Sequence, residues 1–109
     1  MRTWGFLTNH AHVLIQIARN PHSTVREVAL ETGITERATH AVLKDLRQSG
    51  IVVAKRNGRQ NAYEIDVAVL MNHPNWAPSD MEIPQQLIEA TVRGLGRLAL
   101  GSSDTRLAG

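Results

Sequence analysis

The chain has no cysteine among its 109 residues. Disulfides, thiolate metal sites, cysteine nucleophiles and cysteine-based redox switches are excluded with it. Aromatic residues are scarce: two Trp, one Tyr and one Phe. Two of them, Trp4 and Phe6, sit with Leu7 in a short apolar arm. Such an arm is expected to pack on its own core or on a partner subunit. Base stacking is the weaker alternative, because Arg2 is the arm's only basic neighbour. No apolar run is long enough to span a membrane, and the start of the chain lacks the pattern of a secretory signal. A cytoplasmic protein is therefore expected. A Gly-rich phosphate loop is also missing, since no strand precedes Gly94-x-Gly96. The carboxylates Glu27, Glu31 and Asp45 read as helix-face or capping groups, and no Ser/His/Asp set has a context that would activate it. The expectation is a protein that is not an enzyme and has no cofactor.

The five histidines do not converge. His10 and His12 are two apart on an expected helix and point in different directions. His22 and His73 fall in loops, and His40 lies on a polar helix face. A metal site normally needs three or four converging ligands, so none is expected.

The positive charge is concentrated. Residues 1–66 hold nine Lys and Arg against six Asp and Glu, whereas residues 67–109 hold three against four. Within 36–63, six bases face two acids. That local asymmetry favours association with a polyanion. At this length the chain forms one small domain with a single core.

Periodicity and capping signals give an ordered set of elements. A first helix is expected from Thr8 or Asn9 to a point before Pro21, with Ala11, Leu14, Ile15, Ile17 and Ala18 as its apolar stripe. Thr24-Val25-Arg26-Glu27 has the form of a capping box. Val25, Val28 and Ala29 then recur at helical spacing, and Gly33 supplies the left-handed stop. Ile34 plugs the turn and Thr35 is the next N-cap. A helix follows from about Glu36 to Ser49, with Gly50 as its stop. It stacks Ala38, Val42 and Leu46 on one side, flanked by Thr39 and Leu43. The opposite side carries Arg37, His40, Ala41, Lys44 and Gln48, with Glu36 and Arg47 at its edge. Ile51, Val52 and Val53 favour a strand. Asn57-Gly58 signals a hairpin, and Tyr63 and Ile65 alternate with polar neighbours as a half-buried strand does. Lys55, Arg56 and Arg59 surround the tip, followed by Gln60.

A capped helix, a tight turn, a second helix with a cationic face and a basic hairpin, in that order, form a winged helix-turn-helix. Arg and Gln can reach base edges in the major groove and Lys can reach phosphates. A basic ribbon tip can follow the backbone or enter a minor groove. Taken alone, an ordinary solvated helix face or a hairpin charged for solubility would explain each part.

Residues 25–65, most clearly Gly33 to Ala38, Leu43 to Leu46, Gly50 to Val52 and Arg56 to Arg59, resemble the winged helix-turn-helix of small bacterial transcriptional regulators of the MarR and ArsR kind. With residues 8–20 the resemblance covers about the first two thirds of the chain. Residues 7–12 are also similar to short actinobacterial regulators. The resemblance implies double-stranded DNA as partner and a homodimer. The DNA-contacting residues would be Thr35, Glu36, Arg37, His40, Ala41, Lys44, Arg47, Lys55, Arg56, Arg59 and Gln60. Ala41 departs from the polar residue many relatives carry there, and is either a contact for a thymine methyl or silent. The terminal region is shorter and more interrupted than the long dimerisation helices of MarR-type proteins.

The expected organisation is mainly α with a two-stranded β-wing and a C-terminal helix. Residues 1–72 form the winged helix, 73–83 a linker carrying Trp76, 84–100 the C-terminal helix, and 101–109 a flexible tail. Residues 67–71 are either one helical turn or a continuation of the strand. The C-terminal helix presents Leu87, Ile88, Thr91, Val92, Leu95, Leu98 and Ala99 on an apolar face. It is expected to pack on the first helix and on a second subunit. Two other uses stay open. The winged helix could serve protein contact in a larger assembly, through an exposed Trp76 and the C-terminal stripe. An unidentified small-molecule effector could bind between the first and last helices of a dimer.

Overall fold

The structure is a computed structural model that describes residues 5–58, 60–76 and 81–108, and their side chains except at residues 57, 60, 61 and 100–108. Trp4 and Arg2 of the N-terminal arm, and Pro78 of the linker, lie outside the described residues. Three helices come first: α1 (Asn9–Arg19), α2 (Val25–Thr32) and α3 (Glu36–Gln48). Strands β1 (Val52–Asn57) and β2 (Gln60–Ile65) form an antiparallel hairpin. After it come α4 (Val67–Met71), a single 3₁₀ turn (Pro74–Trp76) and α5 (Gln85–Ala108). Mainly helical structure with a two-stranded wing is what the sequence pattern implied.

The helix boundaries follow side-chain chemistry. Thr8 Oγ1 accepts from Ala11 N–H and opens α1. At α2, Thr24 Oγ1 accepts from Glu27 N–H at 3.1 Å while Glu27 Oε1 accepts from Thr24 N–H at 2.9 Å. Each group satisfies an amide that the first helical turn leaves unpaired. Both bonds also favour the ionised carboxylate, so Glu27 is held below the usual carboxylate range, its backbone partner at Thr24 being the larger cause. Gly33 ends α2 at φ 75°, a backbone region that a Cβ would strain. Asp66 caps α4, which settles residues 67–71 as helix rather than strand.

Helix α1 is the centre of the core. It touches α2, α3, α5 and β2. For that reason its buried side is wider than a single stripe: Val13, Leu14, Ile17 and Ala18 are all buried, with Ile17 only 1% exposed. Gln16 is buried too, on a flank the apolar pattern did not mark. Its Nε2 donates to Ser23 Oγ at 3.3 Å, and Ser23 Oγ donates to Asn20 O at 2.8 Å. A buried amide is tolerated because those bonds replace its water. Val28, Val42, Leu43, Leu46, Ile51, Val52 and Leu70 complete the inner core, to which α5 adds Ile88 and Val92.

The hairpin turn is shifted by one residue from the expected Asn57-Gly58. Asn57 is still within β1 and pairs with Gln60, so the turn comes after it, with Gly58 at φ 66°. Register is set by burial: Val52 opposite Ile65 and Ala54 opposite Tyr63 place one face against the core. A one-residue slip would turn that face outward.

Trp76 is not the exposed group the sequence suggested. It is half-buried against the core, and its indole Nε1 donates to Leu70 O at 2.8 Å. Phe6 and Leu7, by contrast, are both exposed. Nor does the last helix stop at Leu100, since its backbone stays helical through the expected tail to Ala108. A glycine such as Gly101 costs about 1 kcal/mol in a helix interior but does not break it as a proline would. Among the described residues no helix is long and apolar enough to cross a membrane.

Candidate nucleic-acid interface

Helix α3 is fixed from below. Thr35 Oγ1 accepts from Ala38 N–H at 3.0 Å and caps the helix, so this oxygen is engaged within the turn. Thr39 is completely buried and returns its hydroxyl to Thr35 O at 2.9 Å. With Val42, Leu43 and Leu46 it forms the buried side. The buried arc is therefore centred on Thr39, Val42, Leu43 and Leu46, and Ala38 lies at its half-buried margin.

Opposite that arc, Glu36, Arg37, His40, Ala41, Lys44, Arg47 and Gln48 are all exposed. Arg37, Ala41, Lys44 and Gln48 make the outermost ridge at about 100° per residue. Among the described residues Arg37, Lys44 and Arg47 take part in no ion pair. Their cationic groups are consequently available to an outside anion without breaking an internal contact. Glu36 lies in the first turn, where a carboxylate suits the helix dipole.

The wing divides its charges between two faces. Side chains alternate along a strand, so Val53, Lys55 and Glu64 share the outer face. There Lys55 Nζ meets Glu64 Oε2 at 3.0 Å. Arg56 points the other way and its Nε donates to Gly58 O at 3.2 Å, which draws the guanidinium back toward the tip. The structure thus separates Lys55 from Arg56, although sequence adjacency had grouped them as one tip. Arg59 lies outside the described residues. The backbone of Gln60 opens β2.

One exposed group on α3, read from the sequence only as a helix-face or capping carboxylate, has a partner the sequence did not name. Asp45 sits on the flank of the cationic ridge opposite to His40, and its Oδ2 is 2.9 Å from His10 Nε2 on α1. The helical repeat alone would have placed Asp45 beside the ridge. Its partner, 35 residues away, is brought there only by packing α1 on α3.

The apolar face of α5 is covered only in part. Ile88 and Val92 are buried and Leu95 is half-buried against the core, whereas Leu87 is 56% exposed. Helices α1 and α5 are in direct contact within the chain. A cleft of about 330 Å³ lies elsewhere, between α4, the 3₁₀ turn and the start of α5, and its walls include Met71, His73, Trp76, Met81 and Ile83. Among the described residues no three His, Cys, Asp or Glu side chains gather where they could hold a metal ion.

Comparison with known proteins adds one match. A family model described as MarR family matches residues 4–60, more than half of the chain, from the N-terminal arm through α3 to the tip of the wing. No curated protein and no solved structure matches the chain significantly.

Proposed function

The chain belongs to the MarR family, and from that premise we propose that it is a sequence-specific, double-stranded-DNA-binding transcriptional regulator acting as a homodimer. In this reading α3 enters the major groove. Arg37 and His40 approach base edges, Lys44 and Arg47 approach phosphates, and Thr35, Glu36 and Ala41 line the helix entry and ridge. Arg56, Arg59 and Gln60 lie on the adjacent backbone or minor groove, with Lys55 on the outer side of the wing. The observation that carries the reading is the ridge of α3: cationic groups that make no ion pair among the described residues stand on a helix whose opposite side is buried through Thr39, Val42, Leu43 and Leu46. A rigid helix presenting unpaired Arg and Lys suits groove binding.

The dimer is supported by α5. Leu87 is exposed, and Gly94 and Gly96 stand within the helix although a Cβ at either would meet nothing within 4 Å among the described residues. Within a single chain these glycines have a cost and no packing benefit. A second helix lying close along this side would supply the benefit.

Selection from a random duplex pool at two salt concentrations tests the function. The expected result is an enriched inverted repeat whose half-site spacing reports the dimer geometry. Arg37→Ala should relax preference at particular positions, whereas Arg59→Ala should weaken all sequences alike and flatten the salt dependence. No enrichment at either salt would overturn the proposal. The protein-contact alternative has lost one of its two surfaces, because Trp76 is engaged with Leu70 and the core.

A further inference from the structure

We propose that His10 is a positioning residue for DNA binding, which restrains the Asp45 carboxylate at the edge of the recognition helix and keeps it from opposing the phosphate backbone. This inference rests on the DNA-binding reading given above. It starts from charge. Of the exposed side chains on α3, Arg37, Lys44 and Arg47 attract a polyanion, while Glu36 and Asp45 repel one. Glu36 is in the first turn, where the positive end of the helix dipole offsets it. Asp45 lies well down the helix and has no such compensation from the backbone.

His10 supplies the compensation. Its Nε2 lies 2.9 Å from Asp45 Oδ2. An ionised carboxylate has no proton to give, so the ring nitrogen is the donor, in the neutral or the charged imidazole alike. The bond directs the carboxylate toward α1. By the helical repeat Asp45 is displaced from the Arg37–Lys44–Gln48 ridge about as far as His40 is on the other side, at about 100° per residue. A side chain at that angle lies within reach of a backbone bordering the groove when it is not restrained. Both side chains are substantially exposed, 46% for His10 and 63% for Asp45. An exposed pair of this kind adds little to fold stability. Its consequence is felt instead by a ligand bound next to it.

The test is a double-substitution cycle read by equilibrium binding to the selected duplex at low and high salt. Loss of the tether in His10→Ala should weaken binding about two- to fivefold at low salt, the range of an exposed charge interaction. The effect should shrink at high salt, where the phosphate field is screened. Asp45→Asn should bind at least as tightly as the wild type. In His10→Ala combined with Asp45→Asn the loss should disappear, because the repelling charge is gone even though the tether is still absent. His10→Gln, whose amide can donate to the same carboxylate, should bind like the wild type. The proposal is overturned if His10→Ala binds like the wild type, or if the combined variant stays as weak as His10→Ala, which would mark a purely structural contact. Absence of binding by the wild type would be seen before any variant is compared. It would overturn the DNA-binding function itself, and this role with it.

Discussion

Helices α1 to α3 and helix α5 solve the same problem, burial of an apolar face, to different extents. Helix α1 is enclosed by α2, α3, α5 and β2, and its off-pattern polar residue, Gln16, has a bonded partner in Ser23. Thr8, Thr24 and Thr35 cap their helices. Helix α5 has 24 residues, yet among those with described side chains only Ile88 and Val92 are buried, while Leu87 faces outward and Gly94 and Gly96 stand over open space. The first region is completed within one chain. The second carries sequence features that one chain does not use, and the proposed dimer rests on them.

The contrast can be broken most forcefully in the core. Ile17→Ala removes a side chain that is 1% exposed and should lower unfolding stability by about 2–5 kcal/mol. Leu87→Ala on the outer side of α5 should stay within about 0.5 kcal/mol of the wild type, provided the protein is dilute enough to be monomeric. Equal losses in urea unfolding would show that α5 is packed within the chain as tightly as α1.

The next sharpening concerns association. Leu87→Glu should shift sedimentation at micromolar concentration from dimer to monomer while the circular dichroism spectrum stays unchanged. A wild type that sediments as a monomer would remove the dimer from the proposed function. Gly94→Ala separates the two environments by sign. It should stabilise the monomeric chain by about 1 kcal/mol, since a methyl group there meets only open space, and it should weaken the dimer if a partner helix lies against Gly94.

Capping gives a smaller effect confined to the first region. Thr35→Ala removes the acceptor for Ala38 N–H and should cost about 1 kcal/mol in thermal or urea unfolding. DNA binding should fall with it, because α3, the proposed recognition helix, starts at that cap.

The smallest effect is a pH dependence at Glu27. Its folded-state pKa is lowered by the bonds to Thr24. The resulting contribution is fully present above the carboxylate's unfolded value and is lost as pH falls through the lower folded value. Glu27→Gln should therefore lower the urea midpoint slightly at neutral pH and converge on the wild type at acid pH, so that the acid limb flattens. An unaltered acid limb would show that the capping carboxylate does not contribute.

Much of the winged helix was legible because its signals are local. Thr24 and Glu27 lie within one turn, Gly33 ends a helix by its own backbone freedom, and Val42 and Leu46 repeat at the helical period. The exposed ridge of Arg37, Ala41 and Lys44 followed from the same repeat. The wing was read less well. Asn57-Gly58 marked the hairpin but not its register, which burial of Val52, Tyr63 and Ile65 against the core decides. Lys55 and Arg56 are neighbours in sequence and opposites in space. Trp76 shows the same limit, since a linker-like segment gave no sign that the indole would reach Leu70 O.

By itself the sequence determined the first three helices, the caps of α2 and α3, the existence of a hairpin and the concentration of positive charge in residues 36–63. Those properties depend on φ preferences, hydrogen bonds within one turn and composition. Tertiary structure alone decided which strip of α5 is covered, which face of the wing each cation occupies, and that His10 holds Asp45. Those outcomes depend on how segments distant in the chain pack together, and a side chain's partner is set by that packing.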